Sequence, residues 1–321
     1  EEACFRGKAS EVIQKTGPRG SVVDDLVEVP IKEVKDKLAI SYWRFCSGLR
    51  CWKSESVTEA LKLICSAHVP GLQDVTYLKI FEKIAKSTIS DGWESHVYLF
   101  GGLVRDILLR TVGNDIDIGF SAPAVELERI CKKNGYSCQL DGDYILIGDQ
   151  NSEEYLEGMV ISYNGIQPSY HADFSMNTLF YDFNNEIIID KTGIGIPAIR
   201  SNLCDLPCLR HQWDDWVNVN GCRVFFRLFK FLLRGYAYDD EQMTFVAGSL
   251  LDCWSREPDH TVEIGRIALG NLVGTQDNKK VEQLRDLVYR SFDLAMQPDN
   301  NVFPSADVWW KDGWLQLLKL S

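Results

Sequence analysis

The sequence predicts an α+β fold, a mixed sheet with helices, flanked by helical regions on its N-terminal and C-terminal sides. Three observations predict it. Residues 96–100 form a short β-prone run, followed by Gly101-Gly102 and a helical stretch over 103–110. Residues 115–120 then alternate polar and apolar, as a strand does. On both sides of this segment apolar residues recur at three- and four-residue spacing, the period of a helix.

Three segments follow in order. Residues 1–90 begin with a Gly/Pro-containing stretch (Gly17, Pro18, Gly20). The helical period then runs over 29–49 and 57–65, is broken at Pro70-Gly71, and resumes over 77–89. No chemistry is recognisable there, so this part reads as a helical extension or a docking region for a protein partner. Residues 91–200 form the α/β head. Beyond the opening strand, glycine pair, helix and strand, it predicts an amphipathic helix over 124–134 ending at Gly135. Further strands are predicted around 144–147, 156–162 and 187–189. Residues 201–321 are helical again, led by the run 223–236, and close with Trp309, Trp310 and Trp314, an aromatic end suited to packing.

Composition excludes several classes. The 321 residues are 45% hydrophobic and 25% charged, which is globular rather than disordered. With 34 basic and 46 acidic residues the formal charge is −12, which disfavours electrostatic capture of nucleic acid by the protein as a whole and leaves that role to a local basic strip. The three segments carry +2, −10 and −4, so the head is the acidic part. No apolar run approaches the ~20 residues of a membrane-spanning helix. The chain starts at Glu1 without a signal-peptide pattern and reads as a processed or trimmed product. Ten cysteines without a CxxC pair read as buried free thiols of a reducing, intracellular compartment. Cys204, Cys208 and His211 have zinc-ligand spacing, but no fourth ligand follows, and ordinary buried thiols are the preferred reading.

The informative stretch is Phe100-Gly-Gly-Leu-Val-Arg-Asp-Ile-Leu-Leu-Arg, followed by Asn114-Asp-Ile-Asp-Ile. Two glycines between a strand and a helix let the backbone approach a ligand closely. The helix start aims free N–H groups at an anion, which suits a polyphosphate. Arg105, in the first turn, adds a charged fork for phosphate oxygens. Asp115 and Asp117 alternate along a strand, so both project from one face. Carboxylates that close repel unless a cation lies between them, and Mg²⁺ is the usual cation beside phosphates. Such a pair suits activation of an attacking hydroxyl and stabilisation of a pyrophosphate leaving group.

GGLVRDILLR…NDIDI resembles the first motif of the class II tRNA nucleotidyltransferases (CCA-adding enzymes) and bacterial poly(A) polymerases, of the polymerase-beta-like nucleotidyltransferase superfamily. HADFSMNTLFYD with NEIIIDKTG resembles their arginine-arginine-aspartate motif, its helix and the next strand. Residues 223–236 resemble the first neck helix. The resemblance covers roughly residues 95–240. It implies a polymerase-beta-like head that binds a nucleoside triphosphate through Gly101, Gly102 and Arg105 and Mg²⁺ through Asp115 and Asp117. It also implies Asp173 near the ribose, with Asn177 one helical turn on, and Arg223 and Arg227 from the neck. Asp106, counted with the nucleotide-binding residues, is expected to fix the loop by accepting hydrogen bonds, with a direct ligand role as the alternative. Glu157 stands as a candidate third carboxylate, with a solvent-facing strand acid preferred.

The departures are specific. His171 and Ala172 stand where the family has paired arginines, and the second neck arginine falls on Phe226, with Arg227 one step out of phase. Asn220-Gly221 replaces an aspartate-proline, and only about 80 residues follow Tyr236. Arg223, Arg227, Lys230 and Arg234 share one helical face, the best candidate basic strip to meet triphosphate or an RNA backbone, with cover for the acids of the −10 head as the equal alternative. The expected function is transfer of a nucleotide from a nucleoside triphosphate to an RNA 3′ hydroxyl, with weak RNA affinity for the isolated chain. The alternative is a non-catalytic relative, a structural or interaction subunit of a larger assembly.

Overall fold

The computed structural model describes residues 22–34, 48–65, 83–84, 86–87, 97–109, 117–142, 144–149, 155–160, 172–220, 223–232, 235–256 and 286. The chain divides into two compact units, one of residues 1–169 and 176–200, the other of residues 170–175 and 201–321.

The first unit is built on a sheet with nine strands among the described residues: β1 (Val27–Val29), β2 (Arg50–Lys53), β3 (Val97–Phe100), β4 (Asp117–Phe120), β5 (Tyr136–Asp141), β6 (Tyr144–Asp149), β7 (Tyr155–Val160), β8 (Leu179–Asp182) and β9 (Ile187–Asp190). Their order is β1-β2-β9-β8-β3-β4-β7-β6-β5. Only the β4–β7 neighbours run parallel. Besides a single turn at Ile31–Val34, its helices among the described residues are α1 (Glu55–Cys65), α2 (Gly102–Leu109), α3 (Ala124–Lys133) and α4 (Gly195–Arg200). This is an α+β fold with a mixed, largely antiparallel sheet.

Local chemistry explains the connections. The β8–β9 hairpin turns where Asp182 accepts hydrogen bonds from the backbone N–H groups of Asn184 and Asn185 and from the Asn185 amide, an Asx-type turn. Gly135, at φ +78°, takes the left-handed conformation just past α3, where glycine is favoured. Asp190 caps α4. Its buried carboxylate accepts from the N–H groups of Gly193, Gly195 and Ile196.

Two strands lie in the part of the sequence that reads as helical. β1 and β2 extend the sheet through β9, and Cys51 packs in the core with Tyr98, Ile187 and Ile189. Short strands of three and four residues are too brief to show a period of their own. Helix α1 falls where the helical period places it, while most of the expected 29–49 helix and the 77–89 helix lie outside the described residues. β8 is a further strand without a sequence expectation, set next to the expected β9.

The second unit holds a two-stranded parallel ladder, β10 (Leu203–Cys204) with β11 (Ala237–Tyr238), and helices α5 (Trp213–Asn220), α6 (Arg223–Leu232) and α7 (Asp240–Arg256). Helix α6 buries Val224, Phe225, Phe226, Leu228, Phe229, Phe231 and Leu232. Phe225 and Phe229 meet edge to face, centroids 4.4 Å apart. Phe226 is wholly buried, so the register that moves a cation off this position also completes the apolar face. Asp239 caps α7 through the N–H groups of Glu241 and Gln242.

Candidate functional site

The end of β3 and the start of β4 lie side by side, with Phe100 paired to Asp117. The same rung continues across the sheet through Phe180, Ile189 and Cys51, and the Phe100 and Phe180 rings stack at 5.5 Å. Asp117 is thus the polar end of an apolar rung. It is exposed, whereas Ile118, Gly119 and Phe120 behind it are buried.

Chain reversal from β3 into α2 needs the left-handed region at Gly101, φ +69°. The turn is pinned by the Gly101 N–H donating to Leu179 O at 3.0 Å. A Cβ built on Gly101 would stand 3.1 Å from Asp117 Oδ2, and one on Gly102 would stand 3.4 Å from Arg105 Nη2. A carboxylate and a guanidinium therefore flank the two glycines. Helix α2 has no acid in its first turn, which leaves its N-terminal N–H groups favourable to an anion.

Arg105 and Asp106 are buried at 7% and 5% exposure. Arg105 Nε donates to Asp106 Oδ1 at 2.8 Å and Nη2 lies 2.6 Å from the same oxygen. Nη1 donates to Asn177 Oδ1. Asp106 thus accepts the neighbouring guanidinium, and Asn177 steadies its other edge. Asn177 belongs to a 3-10 turn, Ser175–Asn177, and Thr178 and Thr192 beyond it join through their hydroxyls at 3.2 Å. Asp115 lies outside the described residues. Glu157 is on β7 opposite Leu146, with its side chain outside them as well.

In the second unit, Asp173 is buried and accepts from Arg227 Nη1 at 2.7 Å and from the Phe174 N–H at 2.9 Å. Trp216 Nε1 donates to the carbonyls of Ala172 and Asp173 at 2.9 and 3.1 Å. Arg227, half exposed, spans from α6 to this segment. Arg223 starts α6, and its side chain lies outside the described residues, as does Arg234. Cys208 is held up to about 12 by burial, with Asp205 and Asp215 adding to the rise, which disfavours the thiolate a zinc ion would need.

Sequence reasoning did not assign Trp216, Asp190 or the Asn177–Arg105 bond. The signal for Asp190 was present in Asp190-Lys-Thr-Gly, an Asx-turn pattern before a helix. The other two are long-range pairings with no local signature.

No family model matches the sequence, and a search of curated proteins finds no match. Solved structures are similar. One is a CCA-adding enzyme in complex with CTP, 17% identical, TM-score 0.45, covering 66% of this chain and 52% of its own. The apo form I of a CCA-adding enzyme is 16% identical, TM-score 0.49, covering 67% and 52%. The Thermotoga maritima CCA-adding enzyme complexed with tRNA-CCA is 16% identical, TM-score 0.45, covering 68% and 53%. The chain spans about half the length of these structures. At this distance they assign no residue, and the site stands on its own geometry.

Proposed function

We propose that the chain is a nucleotidyltransferase that binds a nucleoside triphosphate at the Gly101–Gly102 turn and transfers the nucleotide to an RNA 3′ hydroxyl. The observation that carries this reading is the carboxylate of Asp117 lying against a left-handed glycine at the start of an eight-residue helix. First-turn N–H groups of α2 take phosphate oxygens, and Arg105 meets the triphosphate along the edge that faces Gly102. Asp117, with Asp115 two residues before it, offers hard oxygen donors that fit Mg²⁺. Bound there, the ion would neutralise triphosphate charge, favour the deprotonated acceptor hydroxyl and stabilise the pyrophosphate leaving group. The residues themselves orient the phosphates and hold the turn open to them.

A second reading has its own support. Arg105 is committed to Asp106 and Asn177, and Asp173 to Arg227. Side chains already joined to one another suit a non-catalytic subunit that keeps the head for binding or assembly. Incubation with each labelled triphosphate, Mg²⁺ and total RNA separates the two. Extension of RNA 3′ ends that is lost in Asp117→Ala supports the transferase. No extension with any triphosphate, from protein that still binds one, supports the subunit.

A further inference from the structure

The sheet register places Tyr144 on the face that carries Asp117. Gly119, two residues along β4 from Asp117, pairs with Met159 on β7, and Met159 pairs with Tyr144 on β6. Residues paired across a sheet, and residues two apart along a strand, belong to one face. The other face is core: Ile145 and Ile147 of β6 are buried, as are Ile118 and Phe120 of β4. Tyr144 is instead 65% exposed. It follows the tight turn from β5, where Gly142 takes φ +60° and Asp141 pairs with Tyr144. Two strand steps sideways and two residues along put its Cα about 12 Å from that of Asp117.

We propose that Tyr144 is a stacking platform for an unpaired base near the 3′ end of the RNA acceptor. The proposal rests on the nucleotidyltransferase reading above and adds where the acceptor lies. Attacking and leaving oxygens stand roughly in line across the reacting phosphorus. The bond from the acceptor oxygen to the α-phosphorus forms and the bond to the bridging oxygen breaks. Pyrophosphate leaves towards the Gly101–Gly102 turn, and the hydroxyl proton passes to water. That turn ends β3, on one side of Asp117 in the sheet, and β7 and β6 lie on the other side. The acceptor therefore comes in over β7 and β6, where Tyr144 is an exposed aromatic on its way. Charge favours stacking over salt pairing at this place, because Asp141 is the strand partner of Tyr144 and the head carries −10. An approaching phosphate is repelled there, whereas the flat face of a base meets a ring, and stacking accepts every base.

The test uses the full chain and a hexamer of adenylates labelled at its 5′ end, followed by fluorescence anisotropy at low salt. Tyr144→Ala should weaken binding about five- to a hundredfold, the worth of one stacked base, and Tyr144→Trp should keep it. An abasic nucleotide is then placed in turn at each of the last three positions of the hexamer. At one of them the unaltered chain should lose as much affinity as Tyr144→Ala loses, and the variant should lose no more. Melting curves with Mg²⁺ and ATP separate this site from the triphosphate site, since the variant should rise as far as the unaltered chain. If neither chain rises, the triphosphate reading fails and this proposal falls with it. If both rise, the platform is overturned by equal hexamer binding in Tyr144→Ala, by no hexamer binding at all, or by abasic losses that add to that of the variant. A rise lost in Tyr144→Ala alone would put the ring under the incoming nucleotide and overturn the acceptor assignment.

Discussion

The carboxylate of Asp117 fills the space beside Gly101 that a side chain would need, with Oδ2 3.1 Å from the position of a Cβ there. Two demands meet at Gly101: a φ of +69° and a tight approach. Gly101→Ala should cost about 1–2 kcal/mol from the left-handed backbone alone, and displacing Asp117 should also remove triphosphate binding. Chemical denaturation and nucleotide titration of the variant measure the two effects separately. An alanine variant with unchanged stability and binding would show that the turn tolerates a side chain.

The buried Arg105–Asp106 pair gives an asymmetric expectation. Asp106→Ala leaves a guanidinium 7% exposed without its nearest carboxylate, a loss of about 3–5 kcal/mol for broken buried pairs. Replacing both residues, Arg105→Met with Asp106→Leu, should recover much of that loss, because no isolated charge remains. A double-mutant cycle by urea unfolding reads the coupling, and additive losses would argue that the pair does not act as a unit.

Asp190 gives a pH test. Burial raises its pKa above the ordinary carboxylate value, although the N–H groups of Ile196, Gly195 and Gly193 and the Thr192 hydroxyl pull it down. A raised native pKa means that the folded state takes up the proton first as pH falls. Stability from this group is therefore fully present below the unfolded pKa and is lost as pH rises through the native one. Asp190→Asn removes that titration and also places an amide N–H among backbone donors, at a cost of about 1–3 kcal/mol. The stability gap between native protein and variant should widen from neutral pH into the acid range. A gap that narrows there would show that the N–H bonds outweigh burial.

How much of this was legible in the sequence differs by residue. The glycine pair and the Asp-x-Asp alternation are local signals, and Gly101, Gly102 and Asp117 can be read directly. The partners of Arg105 are less so: Asp106 is its neighbour, but Asn177 is 72 residues away, and only the sheet brings it near. β1, β2 and β8 are too short for a periodic signal and take their conformation from the strands they pair with. The phase of α6 was legible as a Phe/Leu face opposite a basic one, yet the pairing of Arg227 with Asp173 depends on tertiary placement.

RNA affinity should be weak and salt-dependent. The basic strip that the sequence offers is Arg223, Arg227, Lys230 and Arg234, in a protein of formal charge −12. Four phosphate contacts to a single strand imply a slope of about −3 in the logarithm of affinity against the logarithm of salt, roughly a fifty-fold loss between 50 and 200 mM. Anisotropy titrations with labelled RNA measure it. Arg227→Ala should reduce the slope by about 0.7 if that residue meets a phosphate. Tight binding at physiological salt would instead mean a surface beyond this strip.

The most direct test of the triphosphate site is a melting curve with and without Mg²⁺ and ATP or CTP at millimolar concentration, on the native protein and on Asp117→Ala. A ligand present at a hundred times its Kd stabilises the native state by about 2.7 kcal/mol. The native protein should therefore melt several degrees higher with the complex, and the variant, folded without it, should show little or no rise. No shift with either triphosphate, or an equal shift in Asp117→Ala, would contradict a site built on Gly101 and Asp117.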